Sequence, residues 1–220
     1  MKKVLLVAVM ALVGCFVSAN AQGLILKVGG NLNSYTADLE SAKTDMNKSI
    51  LGFHVGAGYE IGIIEYFAIE PGVLFDTRGF KSEMNVGSVS TKMTENIYSI
   101  TIPVALKGKF PISDDFKIFA GLAPFANIGL VGNKKFDTEL GDLSIDKKPE
   151  EFKFGNEFGD KNRINYGLNF NAGVEYSKMS VSVGYDMMMS DGINQGDIKG
   201  TIKDFKPRYN ALKITLGYRL

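Results

Sequence analysis

The chain has little of what most metal and catalytic sites are made from. One cysteine, Cys15, and one histidine, His54, occur among 220 residues, and tryptophan is absent. A disulfide framework needs paired cysteines, and a zinc site of the usual Cys/His kind needs more ligands than these. An excess of one charge is missing as well. The 25 basic residues face 24 acidic ones, so no strong field draws the protein to nucleic acid, and no nucleic-acid partner is expected. Beyond the first 21 residues no run of 18 apolar residues occurs, which excludes a spanning helix from that part of the chain.

Glycine and small aromatics are plentiful instead. The chain holds 25 Gly, 15 Phe and 9 Tyr, a mixture suited to strands joined by tight turns. The first residues read as an export signal. Met1, Lys2 and Lys3 form a basic start, Val4 to Val17 is an apolar run too short to cross a bilayer comfortably, and Ala19-Asn20-Ala21 supplies the small residues a signal peptidase needs. Leu12-Val13-Gly14-Cys15 offers a competing reading, a lipobox with Cys15 as the lipidated first residue. The apolar run continues past Cys15 and a good cleavage site follows. Residues 1–21 are therefore expected to be a cleaved signal peptide, and 22–220 one domain. That domain carries 23 basic and 24 acidic residues.

Period-2 alternation recurs along the domain. Ile164, Tyr166, Leu168, Phe170, Ala172, Val174 and Tyr176 alternate with Asn165, Gly167, Asn169, Asn171, Gly173 and Glu175. Leu212 to Leu220 and Phe53 to Gly62 alternate in the same way. Successive strand side chains point to opposite faces, so each segment has one apolar face and one polar, glycine-rich face. Eight such segments fall at roughly 24–35, 50–61, 66–78, 96–110, 116–132, 163–177, 179–190 and 208–220. Each is long enough for a tilted strand to cross a bilayer, which takes ~9–11 residues. Long connections at 36–49, 79–95, 133–162 and 191–207 alternate with short ones at 62–65, 111–115 and 178.

This is the pattern of an eight-stranded antiparallel up-and-down transmembrane β-barrel in an outer membrane, with long loops outside and both termini periplasmic. A soluble barrel would turn its apolar face inward. Here the polar face alternates Gly and Asn with few charges, which suits a narrow interior. Aromatics near the segment ends, among them Tyr59, Tyr66, Phe110, Tyr176 and Tyr218, suit interfacial girdles. Two features break the pattern. Phe119, Phe125 and Val131 fall on the nominal polar face of 116–132, and Pro71, Pro103 and Pro124 lie inside proposed strands. The prolines mark bulges, or the register assigned there is shifted.

Several stretches together resemble a known family. Leu26 to Asn33, Gly52 to Gly58, Phe67-Ala68-Ile69-Glu70-Pro71-Gly72-Val73-Leu74-Phe75, Ile100 to Lys107, Ile118 to Phe125 and Leu212 to Leu220 are similar in order and spacing to the PorT-like outer-membrane β-barrel domain of Bacteroidetes. The resemblance covers nearly the whole domain and implies an outer-membrane location and an eight-stranded barrel. The founding member's association with protein secretion does not carry over residue by residue, because the shared stretches are scaffold. The 133–162 loop and Met187-Met188-Met189 have no counterpart in the pattern.

The polar faces carry Lys27, Glu60, Glu70, Asp76, Arg78, Lys107, Lys109, Lys117, Glu175, Asp186, Lys213 and Arg219. Eight strands leave an interior only wide enough for side chains to fill, and buried charges must be paired. A salt-bridged plug is the favoured reading and a narrow, gated ion path the alternative. His54 sits on the lumen face with Glu60 further along it, but no Ser stands out beside it as a nucleophile. Gly56-Ala57-Gly58-Tyr59-Glu60-Ile61-Gly62 fails as a dinucleotide fingerprint, since its third Gly is displaced and no helix follows. Asp191 to Asp197 offers oxygen ligands without EF-hand spacing, and Asn47-Lys48-Ser49 is a chance-level glycosylation pattern. The 133–162 loop, with 6 basic and 8 acidic residues and four interspersed Phe, either binds a partner or folds over the barrel mouth.

No catalytic, cofactor-binding or metal-binding residue is assigned, no cofactor is expected, and the protein is not read as an enzyme. The expected function is an integral outer-membrane barrel of structural or interaction type with a side-chain-filled lumen. The alternative is a small porin or an accessory of outer-membrane transport or protein secretion. The expected partners are outer-membrane lipid and an extracellular or periplasmic protein.

Overall fold

The computed structural model describes residues 23–38, 47–86, 89–140, 143–146, 148–152, 154–155, 161–190 and 206–220. The signal segment, Cys15 and the Asp191 to Asp197 stretch lie outside the described residues. Eight long strands form the wall: β1 (Leu24–Asp38), β2 (Ile50–Tyr59), β3 (Phe67–Val86), β4 (Val89–Pro111), β5 (Phe116–Leu140), β6 (Ile164–Tyr176), β7 (Met179–Met188) and β8 (Lys206–Arg219). Every neighbour pair is antiparallel. The ring closes because β1 pairs with both β2 and β8, and β6 with both β5 and β7.

Alternation dictates which way each side chain points, and the barrel is inside out relative to a water-soluble protein. On β8, Ile214 is 56% exposed while neighbouring Lys213 is 6% exposed. On β7, Val183 is 52% exposed while Asp186 is buried. The exposed apolar side chains form a belt, and lipid is the solvent in which that belt is favourable. Aromatics rim it. Tyr66 stacks on Phe110 beside the short turns, and Phe75 packs between Phe53 and Tyr98 farther up the wall.

The strand count and the closed ring agree with the sequence pattern, but four connections differ, the least of them 36–49, where Asn47–Lys48 pairs with Ser82 and Lys81. The 79–95 stretch is not a loop. β3 and β4 continue as a paired ladder from Gly79↔Asn96 to Val86↔Val89. The start of 133–162 is likewise strand, paired with β4 as far as Val89↔Leu140. Short strands Leu143–Asp146 and Glu150–Phe152 fold back against β5. At the other end, Ile61–Ile64 pairs with Phe67–Ile69, so part of the 62–65 connection is strand. Above the belt the outward face turns polar, with Lys81, Glu83, Lys92 and Thr94, while Phe80 and Met93 still point inward, so the lipid-facing half of the pattern stops while the backbone pairing goes on. A 25-residue strand such as β5 extends ~80 Å along its own axis, more than twice the length of a membrane-crossing strand.

The irregularities also resolve. The bulge is not at a proline. Tyr98 pairs with Val131 and Ser99 with Gly129, leaving Leu130 as an extra residue on β5. The bulge reverses the parity of β5, so Val131 faces outward, while Phe119 and Phe125 do lie inside and are buried. Pairing skips two residues after Pro71↔Val104 and again after Pro103↔Phe125, then resumes in the same register. Pro124 pairs with Leu168 in an unbroken ladder. A missing N–H interrupts the ladder locally without shifting it.

Candidate functional site

The lumen is built in three layers, starting at the short-turn end. In the first, Glu70 on β3 accepts from Lys27 on β1 and Lys107 on β4. Glu60, just past β2, takes Lys109 at 2.6 Å and Arg219 at 2.8 Å, with Lys107 3.7 Å away. Lys109 also reaches Glu175 on β6 at 2.7 Å.

The second layer is a closed ring of four charges. Arg78 bonds Asp76 at 3.0 Å and Asp186 at 2.6 Å, and Lys213 bonds the same two carboxylates at 2.9 and 2.8 Å. Asn31 donates to Asp76 at 2.6 Å and Asn169 to Asp186 at 2.7 Å. Asp76 is fully buried and Arg78 and Asp186 nearly so. An isolated charge could not persist there, so pairing is a condition of folding. Each of the five carboxylates in the two layers touches at least two cations.

His54 belongs to the same level. Its Nδ1 lies 2.6 Å from the Asn31 carbonyl oxygen and its Nε2 3.0 Å from the Thr215 hydroxyl. Asn31 uses its amide nitrogen on Asp76, so the facing oxygen accepts, Nδ1 carries the proton and Nε2 accepts from Thr215. The connectivity is that of a hydroxyl–imidazole–amide relay. The space beside Thr215, however, is a cavity of about 80 Å³, room for a few waters and not for an acyl chain.

Aromatic rings fill the remaining bore. Phe119 lies beneath the Lys107 ammonium, 4.8 Å from ring centre to nitrogen, and Phe125 beneath Arg78 at 5.3 Å. Glycines opposite make this possible. A Cβ at Gly173 would meet Phe119 at 2.8 Å and one at Gly167 would meet Phe125 at 2.6 Å. Gly56 and Gly58 of the failed dinucleotide pattern do the same work, lying against Leu74 and the Glu70 carboxylate. The short-turn end opens into a bowl of about 590 Å³ lined in part by Glu60, Lys109 and Lys117.

Eleven of the twelve predicted lumen charges are brought together in these layers. Lys117 is not. It sits half-buried on the rim of the bowl and joins none of the ion pairs seen among the described residues.

The third layer, at the long-strand end, lies outside the sequence expectations. Phe80, Ile97, Phe125, Met188 and Tyr209 form a buried cluster with Tyr35, Met93 and Phe154 packed on it. Glu95, buried on β4, accepts from the Tyr209 hydroxyl at 2.6 Å and pairs with Lys161 at 3.1 Å. Lys161 and Phe154, both from the 133–162 connection, sit in the mouth as a strap. The Phe154 ring seats where a Cβ at Gly129 would be 2.5 Å away, with the Arg163 guanidinium over it at 5.6 Å. Burial lowers the pKa of Lys161, and Glu95 opposes that shift. Parity could have located Tyr209, two positions before Ala211 and four before Lys213, and Glu95, two before Ile97. No spacing pointed to Lys161. Among the described residues no group of three His, Cys or carboxylate side chains is placed to hold a metal ion.

No curated protein sequence matches the chain. The sequence pattern of the family described as outer membrane protein beta-barrel domain matches residues 6–219. Similar solved structures include neisserial surface protein A (NspA), 14% identical over 90% of this chain and 97% of that one, with a TM-score of 0.44. Ail, the attachment invasion locus protein of Yersinia pestis, is 15% identical over 90% and 99%, TM-score 0.39. OprG from Pseudomonas aeruginosa is 14% identical over 89% and 95%, TM-score 0.43.

Proposed function

The chain belongs to the outer membrane protein β-barrel domain family, and from that premise we propose that it acts as a plugged, interaction-type barrel rather than as an open pore or an enzyme. The observation that carries this reading is the middle layer of the lumen, where Asp76, Arg78, Asp186 and Lys213 bond one another across the bore with Phe125 packed against Arg78. A hydrated ion following that path would have to break buried ion pairs that hold the wall together. Residues 1–21 are a signal peptide cleaved after Ala21, both termini face the periplasm, and the long-strand end faces outward. Within the family, the order of its strand motifs favours the PorT-like group of Bacteroidetes. Lipid surrounds the apolar belt, and a protein partner is met at the long-strand mouth.

The test is conductance in planar bilayers, using protein purified from detergent-solubilised outer membranes and shown to be a folded barrel by a heat-dependent gel shift. No discrete conductance steps are expected. Discrete steps would overturn the plugged reading and make a small porin or secretion accessory primary. Recovery in the soluble periplasmic fraction would sink the whole membrane assignment.

A further inference from the structure

We infer that Glu95, Tyr209 and Phe80 form a binding site for an alkylammonium group at the long-strand mouth, and that the chain's own Lys161 occupies it. The Lys161 ammonium lies 5.2 Å from the centre of the Tyr209 ring and 5.9 Å from that of Phe80. It pairs with Glu95 at 3.1 Å and donates to the Tyr209 hydroxyl at 2.5 Å, which in turn donates to Glu95. Two aromatic faces, a carboxylate and a hydroxyl acceptor are what an ammonium group needs once it leaves water.

The walls stand without the strap. Tyr35 stacks on Phe80 at 4.3 Å and meets Tyr209 edge-on at 5.2 Å. The Tyr209 hydroxyl fixes the Glu95 carboxylate from across the barrel. All four side chains belong to long strands of the wall, β1, β3, β4 and β8. Only the cation comes from elsewhere, carried by a segment that bridges internally from Phe154 to Lys161 and meets the wall through the Phe154–Gly129 contact and the Gly129 to Arg163 backbone bond. Withdrawing Lys161 leaves a buried carboxylate between aromatic faces without its cation, so another alkylammonium is favoured in its place. Because Lys161 is tethered, it competes at a high effective concentration and masks the site in the intact chain. The site lies above the charged layers and does not depend on whether the lumen conducts.

The experiment titrates n-butylammonium, n-butanol and a blocked Gly-Lys-Gly peptide into the detergent-solubilised full barrel by calorimetry, comparing wild type, Lys161→Ala and Lys161→Ala/Glu95→Gln, each checked by the gel shift. Lys161→Ala should bind n-butylammonium roughly tenfold or more tightly than wild type, and the added Glu95→Gln should remove most of that gain. n-Butanol should show no such difference. Tighter binding of the peptide than of the free amine would identify the ligand as a presented lysine, and the reverse as a free amine. A folded Lys161→Ala barrel that binds neither overturns the inference, as does wild type binding equally well. If Lys161→Ala does not fold, wild type is probed by amine-reactive labelling of Lys161 with and without tetramethylammonium, which cannot react. Faster labelling in its presence is expected, and an unchanged rate overturns the inference.

Discussion

The middle and the mouth of the lumen solve the same problem with different materials. In the middle, every member of the Asp76–Arg78–Asp186–Lys213 ring is contributed by a wall strand, and the ring is neutral within itself. At the mouth, Glu95 is equally buried, but its partner Lys161 arrives on a connecting segment. A ring built only from wall strands cannot be undone without opening the barrel. A pair completed by a strap can be undone while the barrel stays closed. The difference separates what holds the fold from what is available to bind.

The largest effect should come from breaking the middle ring. Asp76→Leu leaves Arg78 and Lys213 sharing one carboxylate and should cost about 3–5 kcal/mol, read as a lower urea midpoint for loss of the compact gel band in lipid vesicles. Next is the lipid face. Val183→Arg, at mid-height on the exposed side of β7, should cost about 2–4 kcal/mol by the same assay. No loss would argue that this face meets water.

A smaller effect is expected at the mouth. Glu95→Gln and Lys161→Met should each cost about 1–3 kcal/mol. The double variant should lose less than the sum, because the second change removes the charge that the first left unpaired. Strict additivity would show that the strap does not engage Glu95, and the contrast between the two regions would fall. Smallest of all, Lys135→Ala removes the 2.7 Å pair with Asp137 on the exposed outer face of the extension and should change stability by less than about 1 kcal/mol.

Much of the wall was legible because alternation is a local property. Lys213 lies inside and Ile214 outside for the same reason in every register the strand could take, once one face is known to meet lipid. Local reading stopped where the apolar half of the pattern did. The ladder from Gly79 to Asn96 continues with a polar outer face in place of the apolar one, and its strand character rests on hairpin pairing that no lipid-facing alternation announces. Alternation alone puts Val131 on the wrong face, because one bulge residue, Leu130, reverses parity with no proline to announce it. Lys161 was illegible for a stronger reason, since no periodicity governs a strap and its partners come from β4 and β8.

By itself the sequence determined a closed, inside-out barrel of eight strands with charges in its bore, because side-chain direction follows from a period of two and connection lengths order the strands. Only the tertiary structure decided which charges meet. Arg78 and Asp186 are 108 positions apart and Lys213 and Asp76 are 137 apart. Their contact follows from the ring's closure and its register, which no single strand encodes.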